Sequence, residues 1–227
     1  MIDQPWRSVW GRRRLNEYGS IHEQLIRANG FDQGAGKVDA DLYTEFVHKF
    51  SKLINLATSE TLFEVGCGSG AFLYPLNKNT VGGLDFSLPL IEIAKKFLPH
   101  GSFICDEATN LDTAEKYDHV FAHSVFQYLS IDQAETVLTK MIAKASKTVS
   151  ILDIPNKAKQ DQQETVRKQS IGEELYKSKY QDLLHTYYPT QFFLKFPELI
   201  KLKNIILKES VMNYESNDFR FGIVFYL

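Results

Sequence analysis

The first clear pattern along the chain is a set of apolar residues at helical spacing. Leu42, Phe46, Phe50, Leu53, Ile54 and Leu56 recur at three- and four-residue steps, which predicts a helix over 40–56 with one apolar face; a shorter helix is expected over 21–28. Between them, the run from Asn29 to Gly36 has the composition of a loop. From Thr61 the rhythm changes. Short apolar runs at Thr61–Val65, Thr80–Leu84, Ser102–Cys105, His119–Ala122 and Thr148–Leu152 read as strands, and most lead through Gly, Asp or Pro into an amphipathic stretch. Helices are expected over 70–76, 88–98 and 132–145, the last opened by Ser130 or Asp132 as N-cap.

Strands alternating with helices imply a parallel sheet covered by helices on both faces. Beyond Pro155 the segment Asn156 to Ser170 turns polar and rich in Lys and Gln, the composition of an exposed helix or a lid. Two more strand-like runs follow, Ile200–Val211 and Phe219–Leu227, separated by the polar turn 213–218; so short a connection favours an antiparallel pair at the end of the sheet. The expected organisation is a core over 59–227, with a helical or lid insertion near 156–190, preceded by an N-terminal helical lid or cap over 1–58.

Composition narrows the functional classes. A chain of 227 residues supports one domain of ordinary size, and 44% hydrophobic with 24% charged residues is the balance of a globular protein. A net charge of -2 supplies no global field for a polyanion, which argues against nucleic acid as partner. No apolar signal core opens the chain and no long apolar run follows, so neither membrane insertion nor export is expected, and the cytoplasm is the expected location. The two cysteines, Cys67 and Cys105, sit in apolar runs, where free thiols pack as small hydrophobes. The histidines are scattered without metal-ligand spacing, so no metal is expected.

The residues that carry chemistry begin at Leu62-Phe63-Glu64-Val65-Gly66-Cys67-Gly68-Ser69-Gly70, a strand running into a glycine turn. Glycines let a ligand lie against the backbone, and unpaired amide groups at a following helix start are ready donors. The same turn, merely as a tight turn, needs no ligand. Glu64, Asp85 and Asp106, however, stand at equal spacing, each at or just past the carboxyl end of an expected strand, where open parallel sheets form their ligand crevice. There the Asp85 carboxylate can accept from both hydroxyls of a ribose. Asp106 is placed to accept from an adenine amino group, with the Glu107 and Ala108 backbone beside it.

At these positions the chain resembles the class I S-adenosylmethionine-dependent methyltransferases. Glu64 to Gly70 looks like that family's first motif, Asp85 like its ribose-binding acid and Asp106 like its adenine-side acid. The resemblance implies a Rossmann-like, seven-stranded, mostly parallel sheet with one antiparallel strand. It implies S-adenosylmethionine as cofactor, held by Glu64, Gly66, Cys67, Gly68, Gly70, Asp85, Phe86, Asp106, Glu107, Ala108, His123 and Ser124. His123 and Ser124 fall at the end of the fourth strand, beside the sulfonium. His123 then either takes a proton from an acceptor hydroxyl, with Asp153 orienting it, or only packs on the cofactor. Trp6, Trp10, Tyr18, Phe126 and Tyr128 are candidates to close the site and contact the acceptor. Segments similar to small-molecule O-methyltransferases of polyketides and sugars point to a small-molecule acceptor, free or carrier-bound.

Three readings compete with this one: N-methylation, a nicotinamide-dependent oxidoreductase, and a cofactor-binding protein without catalysis. The glycine spacing argues against the oxidoreductase. One residue separates Gly68 from Gly70, where the dinucleotide fingerprint has two. The cofactor motif is complete, which argues against the third reading.

Overall fold

The computed structural model describes residues 4–31, 39–180, 183, 185–194, 196, 204–209 and 217–227. Three helices come first: α1 (Gln4–Gly11), α2 (Ile21–Ala28) and α3 (Ala40–Leu53). Ser20 opens α2 with a capping box, its side chain accepting from Glu23 N while Glu23 reaches back. Asn55, at φ 53°, turns the chain out of α3, and Leu56 N returns to Ser51 O, which stops the helix short of the expected 56. The expected loop beyond Phe31 lies outside the described residues.

The core continues with β1 (Thr61–Val65), β2 (Thr80–Asp85), α4 (Leu88–Phe97), β3 (Ser102–Cys105), β4 (Tyr117–His123), α5 (Ile131–Lys144) and β5 (Ala145–Pro155). Then come α6 (Gln160–Ile171), α7 (Glu173–Tyr180), α8 (Gln191–Leu194), β6 (Asn204–Glu209) and β7 (Arg220–Tyr226). The strands form one sheet in the order β3-β2-β1-β4-β5-β7-β6. β1 to β5 run parallel, and β7 pairs antiparallel with both β5 and β6. Only the central part of the expected strand at 200–211 is described, and the turn at 213–216 is outside the described residues.

Alternation along the strands sends their side chains to two separate cores. Phe63, Val65, Val120 and Ile151 pack with α5 and α8, whereas Leu62, Phe121 and Leu152 pack with α2, α3 and α4. The sheet is therefore covered on both faces, as the alternating pattern implied. Asn156 to Ser170 is mostly the helix α6. Among the described residues, no helix is long and apolar enough to cross a membrane, and no cluster of His, Cys, Asp and Glu fit to hold a metal is present.

One expected element is replaced. The segment 70–76 forms consecutive turns ending in a 3-10 turn, Tyr74–Leu76, instead of a helix. Pro75 has no N–H for an α-helical ladder, and Gly70 N bonds back to Cys67 O, so the chain tightens at both ends of the run.

The sheet's amino edge is fastened by Glu60, whose carboxylate accepts from Ala57 N (2.7 Å), meets His119 Nε2 (3.0 Å) and pairs with Lys147. Lys147, His119 and the Ala57 amide hold this carboxyl down at about 2, from an ordinary 4.5. A depressed carboxyl stabilises the fold fully above its unfolded value and loses that contribution as pH falls toward its folded value. Stability is thus expected to decline between about pH 4.5 and 2 more steeply in the wild type than in Glu60→Gln, measured by urea unfolding across that range.

Candidate functional site

The parallel strands β1 to β4 deliver their carboxyl ends to one edge, and there the sequence motifs meet. β1 ends in a loop whose first two amides, Gly66 N and Cys67 N, bond to Leu84 O of β2 at 2.7 and 3.1 Å. Gly66 at φ 76° and Gly68 at φ 53° lie in the left-handed region that favours glycine. Space demands the same residue: a Cβ on Gly66 would come within 2.2 Å of Val125 Cγ2, and one on Gly68 within 2.3 Å of Asn29 Oδ1.

Asn29, the C-cap of α2, holds this loop from outside. Its Oδ1 accepts from Ser69 N (2.7 Å) and its Nδ2 donates to Cys67 O (3.3 Å), while Ser69 Oγ donates to Leu25 O (2.9 Å). From inside, Asp85 accepts Gly68 N on Oδ2 (2.9 Å) and Ser87 N on Oδ1 (2.8 Å). Burial pushes the Asp85 carboxyl up to about 6 against the pull of these two amides. Glu64, 2% exposed, is pushed well above the usual carboxylate range by burial and then by the charge of Asp85; its Oε2 is buried without a hydrogen-bond partner among the described residues. Cys67 is fully buried beneath the loop, and burial raises its thiol.

Asp106 N donates to Asp85 O (3.1 Å), which seats the third acid beside the second. Its Oδ1 accepts from Glu107 N (2.7 Å) and Asn110 Nδ2 (2.8 Å), and Ala108 is buried in the following turn. Helix α1 lies across this edge. Arg7 pairs with Glu107 and stands 5.2 Å over the Phe86 ring, and Ser87 Oγ donates to Trp10 O (3.0 Å). Trp6 meets Tyr128 edge-on at 4.6 Å and stacks on His185 at 4.9 Å; Trp10 meets Tyr128 at 5.7 Å, with its Nε1 buried and, among the described residues, without a partner.

A second network spans the ends of β4 and β5. Ser124 (φ 57°) and Asp153 (φ 61°) are both held left-handed, a costly backbone state for residues with a Cβ, and Asp153 falls at a register shift inside β5, which runs past the strand expected over 148–152. Ser124 Oγ donates to Asp153 Oδ2, and Arg220 donates to the same oxygen (2.9 Å), to Asp153 O (3.0 Å) and, through its other amino nitrogen, to Gln127 Oε1 (2.8 Å). Gln127 Nε2 returns to Ser124 O (3.1 Å).

His123 departs from the expected partnership. It makes no hydrogen bond with Asp153, which acts on it through charge alone; its Nδ1 lies 3.4 Å from Tyr43 Oη. Chiefly burial lowers its pKa to about 4. Two of the expected acceptor contacts also sit elsewhere. Phe126 is buried in the core against Tyr188 and Phe193, and Tyr18 is 78% exposed. Asn29, Tyr43, Gln127 and Arg220 join the site without any local motif, because each arrives through long-range packing.

Against known families, residues 62–147 match the model described as "Methyltransferase domain". This segment is similar to a methyltransferase domain. A Haemophilus influenzae protein described as uncharacterized is 28% identical over 129 residues, 52% of this chain; the match covers 47% of that protein, so this chain spans about half its length. Among solved structures, N-methyltransferase NodS from Bradyrhizobium japonicum WM9, in complex with S-adenosyl-L-homocysteine, aligns over 99% of this chain and 98% of its own, with a TM-score of 0.62 at 16% identity. Magnesium protoporphyrin IX methyltransferase from Synechocystis PCC 6803 aligns over 97% and 90%, with a TM-score of 0.56 at 14% identity. These likenesses show the fold alone.

Arg220 and Asp153 are 5% and 4% exposed, so removing one strands the other's charge. Arg220→Met is expected to lower the unfolding free energy by about 3–5 kcal/mol, and adding Asp153→Asn to recover part of that loss, both read from urea denaturation. Equal stability of Arg220→Met and wild type would show that the pair does not hold this edge together.

Proposed function

We propose that the chain uses S-adenosylmethionine to methylate a small-molecule acceptor, with a hydroxyl oxygen as the first candidate and an amine nitrogen as the alternative. The observation that carries this reading is the gathering of Glu64, Asp85 and Asp106 around the Gly66–Gly70 loop at one sheet edge. The donor and acceptor set fits the cofactor. Each Asp85 oxygen has two lone pairs and spends one on a backbone amide, so each retains one for a ribose hydroxyl. The orphaned Glu64 Oε2 matches a cationic or N–H group. Asp106, Glu107 and Ala108 would flank the adenine, Phe86 would border it, and Gly66, Cys67, Gly68 and Gly70 would give the backbone wall. S-adenosylmethionine, when bound, supplies a methyl group on an electrophilic sulfonium.

The chain's own contribution is mainly alignment and exclusion of water. Ser124 and Asp153, fixed by Arg220, would border the acceptor, with Tyr128 and the α1 tryptophans as roof. Helix α1 in this reading closes over the bound cofactor, the lid role expected of residues 1–58. His123 contributes packing more than proton transfer, since an imidazole brought down to about 4 holds a transferred proton poorly at neutral pH. NodS, an N-methyltransferase, keeps nitrogen in view, and the match to a methyltransferase family weighs against the nicotinamide alternative.

Calorimetric titration with S-adenosylhomocysteine tests the reading. Binding is expected at micromolar level or tighter in the wild type, and Asp85→Ala should abolish it while the protein stays folded. Because a protonated Asp85 can no longer accept from both hydroxyls, affinity should also fall about tenfold per pH unit below about pH 6. No binding by a folded wild-type sample would overturn the proposal.

A further inference from the structure

His123 ends β4 one residue beyond the Val65–Ala122 pairing, which brings it alongside Gly66 on the face covered by α2 and α3. Phe31 stacks on its ring at 5.4 Å and an interplanar angle of 7°, and Phe46 and Phe72 complete an aromatic enclosure. Tyr43, fully buried in α3, brings its hydroxyl to 3.4 Å from Nδ1, and among the described residues this hydroxyl makes no other hydrogen bond. Nε2 is buried and, among the described residues, has no hydrogen-bond partner. Burial keeps both groups neutral at neutral pH, lowering His123 to about 4 and raising Tyr43 well above the phenol range. What remains open to the imidazole is which nitrogen carries its proton.

The two arrangements differ in what they leave unsatisfied. With the proton on Nδ1, that N–H donates to the phenol oxygen, but the phenolic O–H and the Nε2 lone pair are both stranded in an apolar enclosure. With the proton on Nε2, the phenol donates to Nδ1, and the Nε2–H and the acceptor side of the phenol oxygen are stranded. Each arrangement strands one donor and one acceptor, but a phenol is a stronger donor than a neutral imidazole N–H and its oxygen a weaker acceptor than an imidazole nitrogen, so the second arrangement makes the stronger bond and strands the weaker acceptor. We propose that Tyr43 is a positioning residue that holds neutral His123 as the Nε2–H tautomer, so that the histidine meets a ligand as a hydrogen-bond donor and not as a base.

The choice of tautomer follows from the geometry alone. Its consequence for the reaction rests on the methyl-transfer reading: His123 offers an N–H to an oxygen lone pair in the crevice, and the proton of an acceptor hydroxyl does not go to it. The sequence placed His123 at the site but had no means to assign its proton, because the group that assigns it lies in α3, before the glycine motif.

The experiment is long-range proton–nitrogen correlation spectroscopy of the histidine side chains in the full-length, nitrogen-15-labelled protein, with His123 assigned by its loss in His123→Asn. A pyridine-like Nδ1 and a protonated Nε2 are expected, in a ratio of about ten to one or greater, with the ratio falling about tenfold in Tyr43→Phe, which keeps the ring and removes only the hydroxyl. A proton on Nδ1 in the wild type overturns the proposal, as does an unchanged ratio in folded Tyr43→Phe; if that variant does not fold, the wild-type spectrum decides. Titration of the same wild-type sample with S-adenosylhomocysteine keeps the two readings apart. Failure to bind removes the methyltransferase reading and leaves the tautomer result standing.

Discussion

The carboxylate of Asp85 binds Gly68 N and Ser87 N at once, and the rest of the site is arranged around that bridge. One oxygen fixes the glycine loop that follows β1, and the other fixes the entry to α4. Ser87 then reaches Trp10 O, which ties α1 to the same point, and Asn29 grips the loop from its far side through Ser69 N and Cys67 O. Helices far from the loop in sequence thus converge on a stretch of backbone whose three glycines have no side chains to hold it. The arrangement has a cost, since burial lifts the Asp85 carboxyl to about 6 and leaves Glu64 Oε2 without a partner. Buried polar capacity left unspent is what a polar ligand would use.

The other half of the edge follows a different principle. Ser124 and Asp153 both adopt left-handed backbone, a state a residue with a Cβ keeps only when its surroundings impose it. Here they do: Arg220, entering from the antiparallel strand β7, ties Asp153 to Gln127, and Gln127 ties back to Ser124 O. The antiparallel strand therefore supplies a cation to the parallel part of the sheet. Its guanidinium fixes a carboxylate that would otherwise be a buried, unpaired charge.

Much of this was legible in the sequence where the signal is local. The strand spacing gave the alternating parallel core, and the glycine turn with Glu64, Asp85 and Asp106 marked the edge where the three acids meet. The segment 70–76 misled, because its apolar residues satisfy a helical pattern while Pro75 and the bond from Gly70 N to Cys67 O impose turns. The strand expected over 148–152 stops just before Asp153, yet pairing with β7 carries β5 on to Pro155 around a register shift. Phe126 and Tyr128, two residues apart, were both assigned to the acceptor. The turn they share sends Phe126 into the core and leaves Tyr128 with the α1 tryptophans. Asn29, Tyr43, Gln127 and Arg220 carry no motif at all; only the three-dimensional packing brings them to the site.

A crystal structure of the protein grown with S-adenosylhomocysteine tests the central claim most directly. The account predicts density along the carboxyl ends of β1 to β4, with both ribose hydroxyls on Asp85, the adenine beside Asp106 and the amino acid end against the Gly66–Gly70 loop. Ligand density at another face, or at this edge without contact to Asp85, would contradict it.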